Sequence, residues 1–203
     1  MSDPEPRATD GPTGDDIEVP VARRGRVAAV IAGVLLVLIG LFAWVLATAE
    51  PATDRLVSTP LRGKVAPALV GETIDGRSYD LDSQRGRWVL VNFFAEWCTP
   101  CRREHPELVA FAEAHDVLDD AVVVGVIYDD DVEGVRDFFA ENGGNWPVVI
   151  DPQGRIALDY GVTGVPESFL VSPEGVVIER IAGGVTREGL DRLLRALGEA
   201  RGA

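Results

Sequence analysis

Apolar positions along this chain fall into two regimes. From Val27 to Ala49 they run for about 23 residues without a charge, VAAVIAGVLLVLIGLFAWVLATA; as a helix that run reaches about 34 Å against a hydrocarbon core of about 30 Å. A run this long with no polar face suits lipid better than a protein core, so the pattern predicts a single transmembrane helix over 27–49. After it, apolar residues return in short bursts. Ala66–Val70 and Ser78–Leu81 flank the turn Thr73-Ile74-Asp75-Gly76-Arg77 and predict a β-hairpin. Trp88–Phe94, WVLVNFF, predicts a strand buried on both faces.

Helical spacing follows, with Leu108, Phe111 and Ala112 inside Arg102–His115. Ala121–Ile127 is a second apolar burst, and after the acids Asp129–Asp131 the residues Val132, Val135, Phe138 and Phe139 recur at helical spacing. Trp146–Ile150 predicts a third strand and Ile156–Tyr160 a short helical turn. Ser168–Val171 and Val176–Ile181 predict strands joined by Ser172-Pro173-Glu174-Gly175, and Thr186–Leu197 closes the chain as a helix with Leu190, Leu193, Leu194 and Leu197 on one face. Strand, helix, strand, helix, strand, then hairpin and helix, predicts an α/β domain over 63–203. A central mixed sheet is flanked by helices and preceded by the N-terminal hairpin.

The flanks of the apolar run set an orientation. Arg23, Arg24 and Arg26 precede it and Glu50 and Asp54 follow, so the positive-inside rule leaves the N-terminus in the cytoplasm and residues 50–203 outside. The expected localisation is the cell membrane, single-pass. Residues 1–26, rich in Pro, Gly, Asp and Thr, read as a disordered cytoplasmic tail, and 50–62 as a polar linker. Ala47-Thr48-Ala49 resembles a signal-peptide cleavage site; cleaved or retained, the segment exports the domain.

A formal net charge of −14 disfavours nucleic acid as a partner and otherwise describes a soluble acidic surface. The two cysteines carry more information. A disulfide framework needs more of them at wider spacings, and a zinc site needs two further ligands. The only histidines, His105 and His115, read as solvated helix residues. Haem attachment needs a histidine directly after the second cysteine, where Arg102 stands. No metal and no cofactor is expected. A purely structural bridge across so small a loop would add little stability. The peroxidase pattern of Pro and Thr upstream of a lone cysteine is also missing.

Cys98 and Cys101 follow the Trp88–Phe94 strand directly, and Pro100 suits the first turn of a helix. At such a junction free backbone N–H groups and the helix dipole favour a thiolate. Cys98, expected at the exposed edge of the turn, is the candidate nucleophile, and Cys101, one turn inside, the candidate resolving thiol. Trp97 is a candidate substrate platform. Glu96 reads as a solvated acid.

The runs Val91-Asn92-Phe93-Phe94-Ala95-Glu96-Trp97-Cys98-Thr99-Pro100-Cys101 and Gly161-Val162-Thr163-Gly164-Val165-Pro166-Glu167-Ser168-Phe169 resemble the thioredoxin superfamily, over about residues 63–200. The resemblance implies a thioredoxin-like fold in which Pro166 is cis and, with the backbone of Val165, contacts the substrate chain. Asn92 stands where thioredoxins carry a buried Asp, and Glu167 follows the proline where they carry Thr. Those departures resemble the membrane-tethered CcmG/DsbE, ResA and TlpA group. The resemblance then implies reduction of disulfides in exported proteins such as apocytochrome c, a membrane electron donor of the CcdA or DsbD type, and Glu167 as acid/base near Cys101. Electron direction stays open. Thr99-Pro100 lacks the His of strongly oxidising relatives, which leans toward reduction, but a disulfide oxidase and a redox-inert binding module are the alternatives.

Overall fold

The computed structural model describes residues 24–48, 55–56 and 58–202, in two units, Met1–Ala49 and Glu50–Ala203. The tail and most of the linker expected at 1–26 and 50–62 lie outside the described residues. In the first unit the apolar run forms one helix, α1 (Arg24–Thr48), with its large apolar side chains from Val30 to Trp44 exposed. Side chains are described only for 28–44, and among the described residues no helix is long and apolar enough to cross a membrane. The span expected at 27–49 extends beyond that stretch at both ends.

The second unit has the element order β1 (Arg55–Leu56), β2 (Val70–Glu72), β3 (Ser78–Asp80), β4 (Trp88–Phe94), α2 (Thr99–Leu118), β5 (Ala121–Ile127), α3 (Val132–Asn142), β6 (Val148–Val149), α4 (Arg155–Tyr160), β7 (Glu167–Val171), β8 (Val177–Ala182) and α5 (Arg187–Gly202). The main sheet runs β1-β8-β7-β4-β5-β6. Its β4, β5 and β6 are mutually parallel, while β7 lies antiparallel to β4 and β8 to β7. β2 and β3 form a separate hairpin. This is the expected α/β arrangement with a mixed sheet and an N-terminal hairpin.

Alternation along β4 divides the core. Val89, Val91 and Phe93 pack with Leu69 and Tyr79 of the hairpin region and Tyr160 of α4; Leu90 packs with Leu108 and Phe111 of α2 and Leu190 of α5. The sheet is therefore covered on both faces. A third cluster joins Phe94, Ala95, Cys98 and Cys101 to Val135 of α3 and Val148 of β6. Gly125 of β5 lets this end close, because a Cβ there would stand 2.9 Å from the Phe94 ring.

Several expected elements shift at their ends for local reasons. The third strand is confined to Val148–Val149, because Pro147 has no N–H to give the ladder; its carbonyl instead accepts from Gly125 N. α2 starts three residues before Arg102 and runs to Leu118, stopping where Asp119 turns left-handed at φ 51°. The first hairpin strand begins at Val70 rather than Ala66.

The two histidines overturn their expected solvated state. His105 is 5 % and His115 7 % exposed. His115 bridges Asp120 (2.6 Å) and Asp191 (3.1 Å), tying the end of α2 to the start of β5 and to α5. His105 lies against Phe138, Phe139 and Trp146, with Nε2 2.9 Å from the Gly143 carbonyl. Burial among those rings lowers its pKa below 6.5, partly offset by the Gly143 bond. An unfolded chain therefore takes a proton near pH 6.5 that the folded one refuses. Stability tied to neutral His105 is complete above that pH and declines as the solution is acidified toward the lower folded pKa. Between pH 7 and 5 the melting temperature of the native chain is expected to fall more steeply than that of His105→Phe, as thermal denaturation would record; parallel falls would refute this.

Candidate active site

The site begins where β4 runs out. Ala95, Glu96 and Trp97 turn the chain, and Cys98, extended at φ −77° and ψ 107°, becomes the N-cap of α2. Its Sγ accepts from the Cys101 N–H at 3.2 Å, so a sulfur occupies the place that Ser or Asp usually takes. Pro100 stands in the first turn, where no amide bond is lost. Cys98 and Cys101 are joined by a disulfide with their Cα atoms 5.2 Å apart. The expected asymmetry of exposure is absent in this oxidised state, each cysteine being 4 % exposed.

Trp97 is 56 % exposed, and its indole N–H donates to the Asp129 carbonyl at 3.1 Å. That bond fixes the indole next to Cys98 in the chain. Glu96 is less solvated than expected: its carboxylate pairs with Arg102 at 3.2 Å and its amide donates to Asp130. The pairing offsets the negative charge it would otherwise place beside Cys98.

Opposite the disulfide, Val165-Pro166 is a cis peptide. Val165 packs against the cluster holding both cysteines, and the Pro166 carbonyl accepts from Gly183 N at 2.9 Å. Between the start of α2 (Pro100, Arg103, Glu104 and Glu107) and the segments Thr163–Glu167 and Ala182–Thr186 lies an open groove of ≈ 750 Å³. Val165 therefore belongs both to the cluster holding Cys98 and Cys101 and, with Pro166, to the wall of this groove.

Glu167 reaches this groove from the first position of β7. Its side chain is 2 % exposed and paired with Arg180 through Oε1, while Oε2 accepts from the Thr163 N–H at 3.1 Å. Both oxygens are engaged.

A second buried carboxylate went unrecognised as a site residue in the sequence. Glu104 is 3 % exposed. Its Oε1 accepts from Asn92 Nδ2 at 3.0 Å and its Oε2 from Val185 N at 2.9 Å; Asn92 also donates to Ser168 Oγ at 3.0 Å. The spacing held the clue. Cys101, Glu104, His105, Leu108, Phe111, Ala112 and His115 form the buried stripe of α2, and an acid three residues after the second cysteine lies on that stripe rather than on the solvent face.

A vicinal sulfur pair at the head of a helix can open by accepting two electrons and close by giving them up. With a thioredoxin-like sheet behind it and a cis-proline loop before it, that pair makes the chain a thiol:disulfide oxidoreductase. It belongs to the AhpC/TSA family, whose model matches residues 62–180, and within the thioredoxin superfamily it is related to the CcmG/DsbE, ResA and TlpA group. The thiol:disulfide interchange protein HelX of Rhodobacter capsulatus is 37 % identical over 142 residues, covering 68 % of this chain and 78 % of HelX. The thiol-disulfide oxidoreductase ResA of Bacillus subtilis is 32 % identical over 154 residues, covering 76 % and 84 %. Among solved structures, a thioredoxin-family thiol:disulfide interchange protein from Chlorobium tepidum aligns with a TM-score of 0.61 at 26 % identity, covering 69 % of this chain and 98 % of that one.

Proposed function

We propose that this chain is a membrane-tethered reductant for disulfides of exported proteins, apocytochrome c among them, recharged by a membrane reductase of the CcdA or DsbD type. The observation that carries the reading is the Cys98–Cys101 disulfide facing Val165-Pro166. The charge-free stretch within α1 and the arginines before it support a reading with 1–26 in the cytoplasm, 27–49 in the bilayer, and 50–62 and 63–203 as linker and outer domain.

In the forward reaction reduced Cys98, as thiolate at the head of α2, attacks one sulfur of the substrate disulfide. The substrate bond breaks, a mixed disulfide forms, and one substrate sulfur leaves as thiolate. Trp97, Val165 and Pro166 hold the substrate chain. Cys101 then loses its proton and attacks Cys98 Sγ, releasing the second substrate thiolate and leaving the Cys98–Cys101 disulfide. The substrate has gained the two electrons that the pair has lost, and the membrane donor restores them.

Two carboxylates compete for the Cys101 proton. Glu167, the one expected from the resemblance, is paired with the charged Arg180 guanidinium, whereas Glu104 accepts from the neutral N–H groups of Asn92 and Val185. Glu104 lies one helical turn beyond Cys101 on the same buried stripe, and we assign it the acid/base part, with Glu167 shaping the loop that receives substrate.

The test is the reduction potential of the Cys98–Cys101 couple, measured against glutathione. The reductant reading expects a value near or below about −220 mV, and one near about −120 mV would make the chain a disulfide oxidase instead.

A further inference from the structure

We propose that Arg180 is a positioning residue: it fixes the loop Thr163–Pro166 and thereby sets how tightly a peptide disulfide is held, without acting on the cysteines. The inference rests on the reading above that Val165 and Pro166 contact the substrate chain.

Arg180 lies on β8 opposite Phe169 of β7, while Glu167 pairs with Ala182, so Arg180 and Glu167 are diagonal neighbours across the two strands. Their side chains are 12 % and 2 % exposed. One guanidinium serves two partners, Nε donating to Glu167 Oε1 and Nη2 to Thr163 Oγ1 at 3.1 Å, with its carbon 5.9 Å from the centre of the Phe169 ring. Thr163 closes the triangle by donating its backbone N–H to Glu167 Oε2. The backbone anchors of the loop stand at its two ends, Val162 N on the Ala157 carbonyl and Gly183 N on the Pro166 carbonyl. Between them Val165 packs against the core, and the loop's hydrogen-bonded hold on the sheet runs through Thr163, itself held by the Arg180–Glu167 pair.

Taking away one partner of a buried pair undoes this hold. Removing the guanidinium leaves the Glu167 carboxylate buried without its counter-charge, a costly state. It is relieved by moving toward water, which lies on the groove side, and Thr163 is bonded to the carboxylate that moves. A displacement of the order of 1 Å in a group that positions the substrate chain is enough to weaken its hold on that chain. Lysine would restore the charge and one bond but lacks the planar fork that reaches Glu167 and Thr163 together.

The test uses the pre-reduced full-length chain in single turnovers with two substrates, a synthetic peptide closed by a Cys–Cys disulfide and the small bis(2-hydroxyethyl) disulfide, which is too short to lie along the loop. For Arg180→Met the half-saturating peptide concentration should rise about tenfold, with the plateau rate and the small-disulfide rate retained, and Arg180→Lys should recover part of the loss. Thr163→Val, which removes only the exposed hydroxyl, should shift the peptide value in the same direction. An unchanged peptide value in folded Arg180→Met, or equal losses on both substrates, overturns the inference. If Arg180→Met does not fold, an unchanged value in Thr163→Val does so. Pro166→Ala separates the two readings: if it weakens peptide binding while Arg180→Met and Thr163→Val do not, only the Arg180 inference falls. If it too leaves the peptide value unmoved, the substrate-holding role of the loop falls with it.

Discussion

Cys98→Ala is expected to lower disulfide exchange about a thousandfold, the scale on which losing a covalent nucleophile is felt. Cys98 Sγ caps α2 through the Cys101 amide, so in the reduced protein it is the sulfur best placed to be stabilised as thiolate by the helix N-terminus. Cys101 belongs to the buried stripe of the same helix and has no such cap. The variants should therefore differ in kind. Cys98→Ala gives no covalent complex with a disulfide substrate, whereas Cys101→Ser still attacks but is unable to resolve, and accumulates the mixed disulfide on Cys98. Either change removes a bridge of sequence separation 3, whose chain-entropy contribution is about 2 kcal/mol, so both proteins should remain folded in thermal melts. Insulin reduction and mass spectrometry of the trapped adduct provide the measurement. Retained turnover in folded Cys98→Ala would refute the assignment, and capture through Cys101 would reverse the roles.

Glu104→Ala is expected to cost about 4 kcal/mol of stability and, in a domain of this size, to lower the melting temperature by about 15 °C. The substitution strips the buried Val185 N–H of its acceptor and Asn92 Nδ2 of one of two, leaving Asn92 its bond to Ser168. It also opens a cavity at a position 3 % exposed. Glu104→Gln keeps one carbonyl oxygen for these donors and should lose only about half as much. Gln is nevertheless unable to take a proton. If Glu104 receives the one leaving Cys101, single turnovers of Glu104→Gln should stall at the mixed disulfide while Glu167→Gln proceeds. A mixed disulfide that builds up in Glu167→Gln and not in Glu104→Gln would return the acid/base role to Glu167. A melting temperature for Glu104→Ala within a few degrees of the native one would contradict the structural part.

The fold was legible where pattern and period agreed. Trp88–Phe94 and Ala121–Ile127 emerge as strands with the expected ends, because long β-branched and aromatic runs between polar turns have few alternatives. Pro147 and Asp119 moved the boundaries of β6 and α2 through a missing amide and a left-handed turn, local effects that apolar periodicity does not register. In the site, the cysteine pair and the cis-proline loop could be read from motifs. Glu104, His105 and His115 could not be placed from residue type, since charged and titratable residues in a helix are solvated by default. Their burial depends on partners distant in sequence, such as Val185, Gly143 and Asp191. Reading them by their place on the α2 stripe would have found all three.

The segment ahead of β4 covers both margins of the sheet. At one margin of the sheet Arg55 and Leu56 pair with Ala182 and Ile181, and Gly63 and Lys64 exchange backbone bonds with Val177. At the other margin Ile74 N donates to the Val148 carbonyl and Ile150 N to that of Glu72, so the hairpin shields β6. A bare strand margin is a template for other chains, and proteins secure such margins by covering them. Here the chain spends its own leading residues on both. Neither β8 nor β6 is then left bare for an extended polypeptide to pair with.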